Sequence, residues 1–231
     1  MSVTIRKHES VDGVYRVQTR IGETHLATKN LVKGVSVYGE KLVTFRGAEY
    51  RVWNPYRSKL AAYIQKGATT LPIRESSPLL YLGAGSGTTV SHVSDIVGTG
   101  GKVFCIEFAQ RVLRELVDSL CDKRPNLYPV LADARFPEKY PSFVTKTEGI
   151  YCDIAQAEQA KILADNAELY LGSGGRALIA FKARSINVAL DPKEVFRKEI
   201  KVLKDRGFEI KDVQRLEPFQ LDHAMVLATY E

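Results

Sequence analysis

The pattern of apolar and polar positions changes near residue 55 of this 231-residue chain. Before that point, short alternating runs at 13–17, 31–38 and 49–53 are separated by Gly, Asn and Asp, and they predict antiparallel strands. After it, apolar strand-like runs alternate with helical stripes, which is typical of a mostly parallel sheet with helices on both faces. We therefore expect a small β-rich domain over residues 1–55 and a larger α/β domain over residues 56–231.

The apolar runs of the second part predict five strands, joined mostly by helices. A helical stripe covers 111–123, and a second helix is expected over 191–206, with Asp191 as its cap and Gly207 as its stop. The last two runs, 208–214 and 223–230, predict an antiparallel hairpin at a sheet edge. The five expected strands are 79–84, 102–107, 127–132, 149–154 and 175–182.

The most informative segment is the glycine-rich run from Leu79 to Thr89. An apolar strand breaks into Gly83, Gly85 and Gly87 and then into a segment that can begin a helix, so backbone N–H groups are brought close to a ligand. The next apolar run ends in Glu107, and an acid at that strand end accepts hydrogen bonds from a ribose diol. Together the two features indicate a ligand that contains adenosine.

The spacing of the glycines narrows the choice of ligand. G-x-G-x-G is one residue shorter than the dinucleotide fingerprint, and Thr88 and Thr89 stand where a third, close-packing glycine is expected. S-Adenosylmethionine is therefore favoured over NAD. A Walker loop is excluded because no Lys-Ser or Lys-Thr pair follows the glycines.

Polar residues also end the next three strands, at the edge where an open α/β sheet binds its ligands. Asp133 is placed to accept a hydrogen bond from an adenine amino group, or else it serves as a turn or capping aspartate. Asp153 and Lys182 end neighbouring strands, where a carboxylate facing an ammonium can hold the lysine over a substrate oxygen. A purely structural salt bridge is the competing interpretation.

Charge and cysteine content restrict the environment and the partners. Residues 1–60 hold 11 Lys and Arg against 5 Asp and Glu, whereas the remainder is balanced at 22 against 22. The basic first quarter either attracts RNA phosphates without reading sequence or is an ordinary solvated surface. Cys105 and Cys152 lie in apolar runs and indicate buried thiols. No membrane span or targeting segment is visible, so we expect a soluble, cytoplasmic protein.

Four segments together make the chain similar to fibrillarin, the 2′-O-methyltransferase of box C/D RNA-protein particles. The segments are Tyr50–Ala62, Tyr81–Thr89, Leu131–Arg135 and Asp153–Ala160. Gly85 departs from the family, where a small non-glycine residue is expected. The Gly/Arg-rich extension of the nucleolar forms is missing, so the resemblance is to the archaeal type.

The resemblance implies a Rossmann-like, class I S-adenosylmethionine-dependent methyltransferase domain behind a small N-terminal β-rich domain. The implied activity is ribose 2′-O-methylation of rRNA, with tRNA as a further candidate, and no metal is expected. The implied partners are a box C/D guide RNA with its target RNA, a Nop-family scaffold protein and a kink-turn-binding protein related to a ribosomal protein.

The resemblance also assigns roles to individual residues. It implies a catalytic tetrad of Lys59, Asp153, Lys182 and His223, although Lys59 alone also fits a solvated helix position and His223 a strand-end turn. A lysine near the 2′-hydroxyl either stabilises alkoxide character or accepts the proton, and both roles stay open. The cofactor-binding residues are expected to be Gly83, Ala84, Gly85, Gly87, Thr88, Thr89, Glu107, Phe108, Asp133, Ala134, Asp153 and Gln156.

Two other classes of function remain open at this point. The first is a methyltransferase of the same fold acting on a protein or a small molecule, which does not need lysines to generate an alkoxide. The second is a non-catalytic RNA-binding scaffold, against which the intact glycine turn and its acidic partners argue.

Overall fold

The computed structural model describes residues 3–19 and 22–231, and its first layer is an antiparallel sheet at the N-terminal end. The sheet has the strand order β1-β2-β3-β5-β4, and every neighbouring pair is antiparallel. Its strands are β1 (Thr4–Lys7), β2 (Val14–Gln18), β3 (Thr24–Lys29), β4 (Leu42–Phe45) and β5 (Ala48–Trp53).

The second sheet has seven strands in the order β11-β12-β10-β9-β6-β7-β8. The pairs from β10 through β9, β6 and β7 to β8 are parallel, and β12 runs antiparallel to both β10 and β11. This order confirms the α/β class, the mostly parallel sheet and the C-terminal hairpin at its edge. The strands are β6 (Pro78–Leu82), β7 (Lys102–Glu107), β8 (Leu127–Leu131), β9 (Thr147–Cys152), β10 (Leu171–Lys182), β11 (Phe208–Arg215) and β12 (His223–Tyr230).

Helices cover both faces of the second sheet. Successive strand residues point to opposite faces, so Leu79 and Tyr81 join the core under α1, α2 and α3, whereas Leu80 and Leu82 join the core under α4 and α6. The Asp191 carboxylate caps α6 by accepting the Lys193 N–H at 2.8 Å. The helices are α1 (Lys59–Gln65), α2 (Thr88–Val97), α3 (Gln110–Leu120), α4 (Gln159–Tyr170), α5 (Ala183–Ile186) and α6 (Pro192–Asp205).

The strand predicted at 31–38 is wrong, because this segment forms turns and bends. Its backbone donors bind carboxylates instead of a neighbouring strand: the Gly34 N–H reaches Glu49 at 2.8 Å, and the Val37 N–H reaches Glu40 at 3.0 Å. Gly34 also has a φ of 81°, which no regular strand adopts. Alternating polarity here belongs to a packed loop, and the segment connects β3 to β4.

A buried polar network joins the N-terminal sheet to α2, the helix that follows the glycine turn. The guanidinium of Arg51 binds Glu40 at 2.6 Å and Asp95 at 2.9 Å, and Asp95 also binds Arg124 at 2.7 Å. All four side chains are almost fully buried, and removing one partner of such a group typically costs about 3–5 kcal/mol. The network therefore fixes α2 against the N-terminal sheet.

Within the described residues, no helix is both long and apolar enough to cross a bilayer.

Candidate active site

The glycine turn after β6 is held by short backbone contacts. The N–H groups of Gly83 and Ala84 both donate to the Ile106 carbonyl, at 2.9 and 3.1 Å. Gly83 has a φ of 80°, and a Cβ there would lie 2.6 Å from the Asp153 carbonyl oxygen. Because that neighbour is backbone, only glycine allows β6 and the segment after β9 to approach so closely.

The other two glycines of the turn meet different demands. A Cβ on Gly85 would meet no atom within 4 Å, so the space beside it is open. Gly87 precedes α2 with a φ of 105°, and a Cβ there would lie 2.2 Å from the Leu120 side chain of α3. Gly87 therefore takes the close-packing role that the sequence pattern leaves without a glycine.

Glu107 ends β7 directly beside this turn. Its carboxylate accepts the N–H groups of Gly85 and Ala109, each at 3.0 Å, and the residue is 8% exposed. A carboxylate has about four acceptor positions. One of them therefore holds the glycine turn and one holds the start of α3, and the others remain for a ligand.

A cavity of about 170 Å³ lies where the carboxyl ends of β6, β7, β8, β9 and β10 meet. Eight of the predicted site residues line it: Gly83, Gly85, Glu107, Phe108, Ala134, Asp153, Gln156 and Lys182. Four lining residues were not predicted, namely Ile106, Ala132, Ile154 and Ala155. These four are small or apolar neighbours of predicted residues, and hydrophobicity alone does not separate them from the rest of the core.

Five predicted cofactor residues do not line the cavity: Ala84, Gly87, Thr88, Thr89 and Asp133. The Thr89 hydroxyl donates to Ser58 Oγ at 3.0 Å. Asp133 forms an ion pair with Arg135 at 2.6 Å, and hydrogen bonds from Arg135 lower the pKa of this carboxyl. The cofactor roles of these five residues stay predictions.

Asp153 lies between two lysines from distant parts of the chain. Its Oδ1 is 2.9 Å from Lys182 Nζ and 3.2 Å from Lys59 Nζ, and the Lys182 ammonium also donates to the Asp153 carbonyl at 3.3 Å. Burial opposes ionisation of Asp153, but the two neighbouring ammonium groups hold its pKa below the ordinary value. Two ammonium groups thus face one carboxylate, so the cluster has an excess positive charge beside the cavity.

His223 stands opposite Lys182 in the antiparallel pair of β10 and β12. Its Nδ1 is 2.5 Å from the Leu221 carbonyl oxygen, which can only accept, so Nδ1 carries the proton and Nε2 of the neutral ring is an acceptor. Burial lowers the pKa of His223, and the charges of Lys59 and Lys182 act in the same direction. The ring is therefore neutral near pH 7.

Lys59 owes its position to the start of α1. The residue before it, Ser58, is the N-cap, and its hydroxyl oxygen accepts the Ala61 N–H at 3.3 Å. The same oxygen accepts the Thr89 hydroxyl of α2. The helix that carries Lys59 is thus tied at its first turn to the helix that follows the glycine turn. Ser58 lies inside the segment Tyr50–Ala62 but was not among the predicted site residues. The signal available in the sequence was the preference of serine for the N-cap position of a helix.

The acceptors around the cavity fit a ligand with hydroxyl and ammonium donors. Besides the Asp153 and Glu107 carboxylates, Gln156 presents a buried Oε1 that accepts no hydrogen bond from the described residues. Burying an amide oxygen without a partner is costly. The ribose diol and the amino group of S-adenosylmethionine supply donors of this kind, so the residues present fit that cofactor.

Comparisons with known proteins give the relatives of this chain. The family model described as Fibrillarin matches residues 5–231. A fibrillarin-like rRNA/tRNA 2′-O-methyltransferase from Staphylothermus marinus is 55% identical over 99% of this chain and 97% of its own.

Two solved structures extend the comparison. The crystal structure of Aeropyrum pernix fibrillarin with natively bound S-adenosyl-L-methionine superposes with a TM-score of 0.92 at 50% identity, covering 99% of both chains. The fibrillarin chain of a fibrillarin/Nop5p complex superposes with a TM-score of 0.85 at 40% identity, covering 97% of this chain and 100% of that one.

Proposed function

The chain belongs to the fibrillarin family, and from this membership and its site we propose that it is an S-adenosylmethionine-dependent RNA 2′-O-methyltransferase that acts on rRNA and tRNA. The observation that carries the proposal is the Lys59–Asp153–Lys182 cluster beside the cavity. Stabilising an alkoxide calls for such an excess of positive charge. A cavity that only binds an adenosine ligand does not require it.

We assign the cofactor to the cavity between the glycine turn and Asp153. The two free acceptor positions of Glu107 bind the ribose diol, and the open side of Gly85 lets the ligand approach the turn. Gln156 Oε1 and Asp153 accept from the amino group of the methionine part. The bound sulfonium supplies a methyl group that is already activated for displacement.

The residues of the tetrad then act on the incoming ribose. Lys182 lies beside the cavity, where its ammonium stabilises the negative charge that develops on the 2′-oxygen. Asp153 holds both lysines, so the positive charges do not have to reorganise during the reaction. His223 Nε2 is the acceptor for the hydroxyl proton. Alignment of oxygen, methyl carbon and sulfur contributes much of the remaining rate.

We propose that the target nucleotide is chosen by partners. In this proposal the chain docks on a Nop-family scaffold, and a box C/D guide RNA bound by a kink-turn protein pairs with the target. The complex of a related fibrillarin with Nop5p supports the scaffold. Free thiols at Cys105, Cys121 and Cys152 support a reducing, cytoplasmic location. We also propose that residues 1–55 and 56–231 are separate domains.

The proposal is tested by methyl transfer from labelled S-adenosylmethionine to a target RNA oligonucleotide. The protein is assembled with an archaeal Nop5-type scaffold, a kink-turn-binding protein and a guide RNA. We expect label on one nucleotide, resistance of the following phosphodiester bond to alkaline hydrolysis, and no transfer to a matched oligonucleotide with a 2′-deoxy target.

Two results would contradict the proposal. Transfer to the 2′-deoxy oligonucleotide would show that the target 2′-hydroxyl is not the methyl acceptor. Cofactor and RNA binding without any transfer by the assembled particle would indicate a non-catalytic scaffold.

A further inference from the structure

Gln159 is a fully buried amide that no part of the proposed chemistry uses. It is the first residue of α4, and its exposed fraction is 0%. Its Oε1 accepts the Lys182 N–H at 3.1 Å, and its Nε2 donates to the Ile154 carbonyl at 3.0 Å. The orientation of the amide is fixed by its partners, since an N–H must face the oxygen and a carbonyl must face the NH₂ group.

One of the two backbone groups that it binds ends β10, and the other lies just beyond β9, at the point where these two strands separate. The parallel ladder between β9 and β10 ends at the pair Cys152 and Ile179. Beyond it, the chain after β9 stays with β6, because the Asp153 N–H donates to the Leu82 carbonyl at 2.9 Å. Strand β10 continues to Lys182 beside β12.

Asp153 and Lys182, which form their ion pair at 2.9 Å, both lie beyond the last residue pair of this ladder. The separation of the strands removes the ladder partner that would otherwise fix the Lys182 backbone on the β9 side. A side-chain amide carries both a donor and an acceptor, so it can replace the absent ladder hydrogen bonds across the gap. A carboxylate or an apolar side chain would leave at least one of the two backbone groups without a partner.

We infer that Gln159 is a positioning residue: it fixes the Lys182 backbone against the Asp153–Ile154 segment, so that the Lys182 ammonium stays beside Asp153 and the cavity. The inference rests on the proposed function, because it assigns to Gln159 an effect on the methyl-transfer step. Gln159 itself touches neither the cofactor cavity nor either lysine ammonium.

The first test uses Gln159→Met, which keeps the length of the side chain and removes both hydrogen bonds. Asn126→Leu is the matched control, because Asn126 is an equally buried amide whose Nδ2 donates to the Ser94 and Gly98 carbonyls, each at 2.9 Å. Asn126 precedes β8 and so lies at the amino end of that strand, whereas the cavity lies at the carboxyl ends of the strands.

Melting temperature, dissociation constant for S-adenosylmethionine and single-turnover methyl transfer by the assembled particle are measured for both variants. Both should melt at lower temperature. Well below melting, Gln159→Met should transfer methyl at least about tenfold more slowly than wild type while its dissociation constant changes by less than about threefold. Asn126→Leu should keep the wild-type rate.

A second measurement asks whether Gln159 acts through Lys182. In a Lys182→Ala background, adding Gln159→Met should slow transfer by no more than about twofold, since residues that act as a unit are not additive. If the substitution costs the same factor with and without Lys182, the inference is overturned. It is also overturned if folded Gln159→Met turns over at the wild-type rate, or if only its cofactor affinity falls.

Gln159→Glu provides an independent check that leaves the side-chain shape unchanged. A protonated carboxyl has one donor and one acceptor, as the amide does, whereas the ionised form lacks the donor that faces Ile154. The rate of this variant divided by the wild-type rate should therefore rise as pH falls. A ratio that stays constant with pH would contradict the bridging role. An inactive wild-type particle would instead refute the proposed function, so the two failures are distinguishable.

Discussion

Replacing Glu107 is the most informative perturbation of the cofactor cavity. The carboxylate accepts the N–H of Gly85 in the glycine turn and the N–H of Ala109 just before α3, and it retains acceptor positions for a ligand. In Glu107→Gln the amide offers one oxygen and one NH₂ group, so the N–H of Gly85 or of Ala109 faces another donor. The variant also lacks the charge that strengthens the hydrogen bond with a ribose hydroxyl.

The expected size of the effect follows from one charge-assisted hydrogen bond. Such a bond contributes about 1.5–3 kcal/mol, and each 1.4 kcal/mol is a factor of ten in affinity. The dissociation constant for S-adenosylmethionine should therefore rise by about 10- to 150-fold in Glu107→Gln, measured by calorimetry without RNA. Glu107→Ala should weaken binding by at least as much.

The control is Glu115→Gln, which removes an exposed acid that pairs with Arg111 at 3.5 Å on the surface of α3. Its dissociation constant should equal that of the wild type, because exposed pairs contribute little. A folded Glu107→Gln protein that binds the cofactor within about twofold of wild type would refute the assignment of Glu107 to the ribose.

Three further predictions concern the turn, the buried network and the basic first quarter. Gly83→Ala should destabilise the protein and slow methyl transfer more than Gly34→Ala. Both sites have φ near 80°, but only at Gly83 does a Cβ meet backbone. Equal unfolding free energies and equal transfer rates in the two variants would refute this prediction. His92 of α2 is buried near Arg51 and Arg124 of the network, and burial together with their charges holds its pKa well below about 6.5. The unfolded chain therefore binds the extra proton, and stability is lost as pH falls below that value. In chemical denaturation, the dependence of the unfolding free energy on pH should be shallower in His92→Gln by up to about 1.4 kcal/mol per pH unit, and identical slopes would contradict this. Neutralising the exposed Lys7, Lys29 and Lys33 should make RNA association depend less on salt. The slope of log association constant against log salt concentration should fall by about 0.7–0.9 for each RNA phosphate that these lysines neutralise in the wild type. An unchanged slope would show that these charges face solvent.

The strands of the second sheet could be predicted from the sequence because they are apolar on both faces. Leu79 to Leu82 pack alternately into the two cores. A short continuous apolar run between turn residues favours a strand that is buried on both faces. Asp153 and Lys182 were expected at neighbouring strand ends, and the ladder between β9 and β10 confirms that their strands are adjacent.

Tertiary contacts decide what the pattern could not show. The segment 31–38 alternates like a strand, but carboxylates from outside it bind its N–H groups. Lys59 meets Asp153 across 94 positions of sequence, and only the family resemblance linked them. Gln159 and Ser58 act through one or two hydrogen bonds to distant backbone or side-chain groups, which leave no periodic signal.

The central claim, that Lys182 stabilises the reacting 2′-oxygen, is tested most directly by single-turnover methyl transfer with Lys182→Ala in the assembled particle at saturating S-adenosylmethionine. Lys161→Ala is the control, because Lys161 forms an exposed ion pair with Asp165 on α4. We predict that Lys182→Ala slows transfer by about 10² to 10⁴ with cofactor affinity nearly unchanged, and that adding Asp153→Ala slows it little further. A folded Lys182→Ala protein that melts at lower temperature yet transfers methyl at the wild-type rate would show that the pair is only a structural salt bridge.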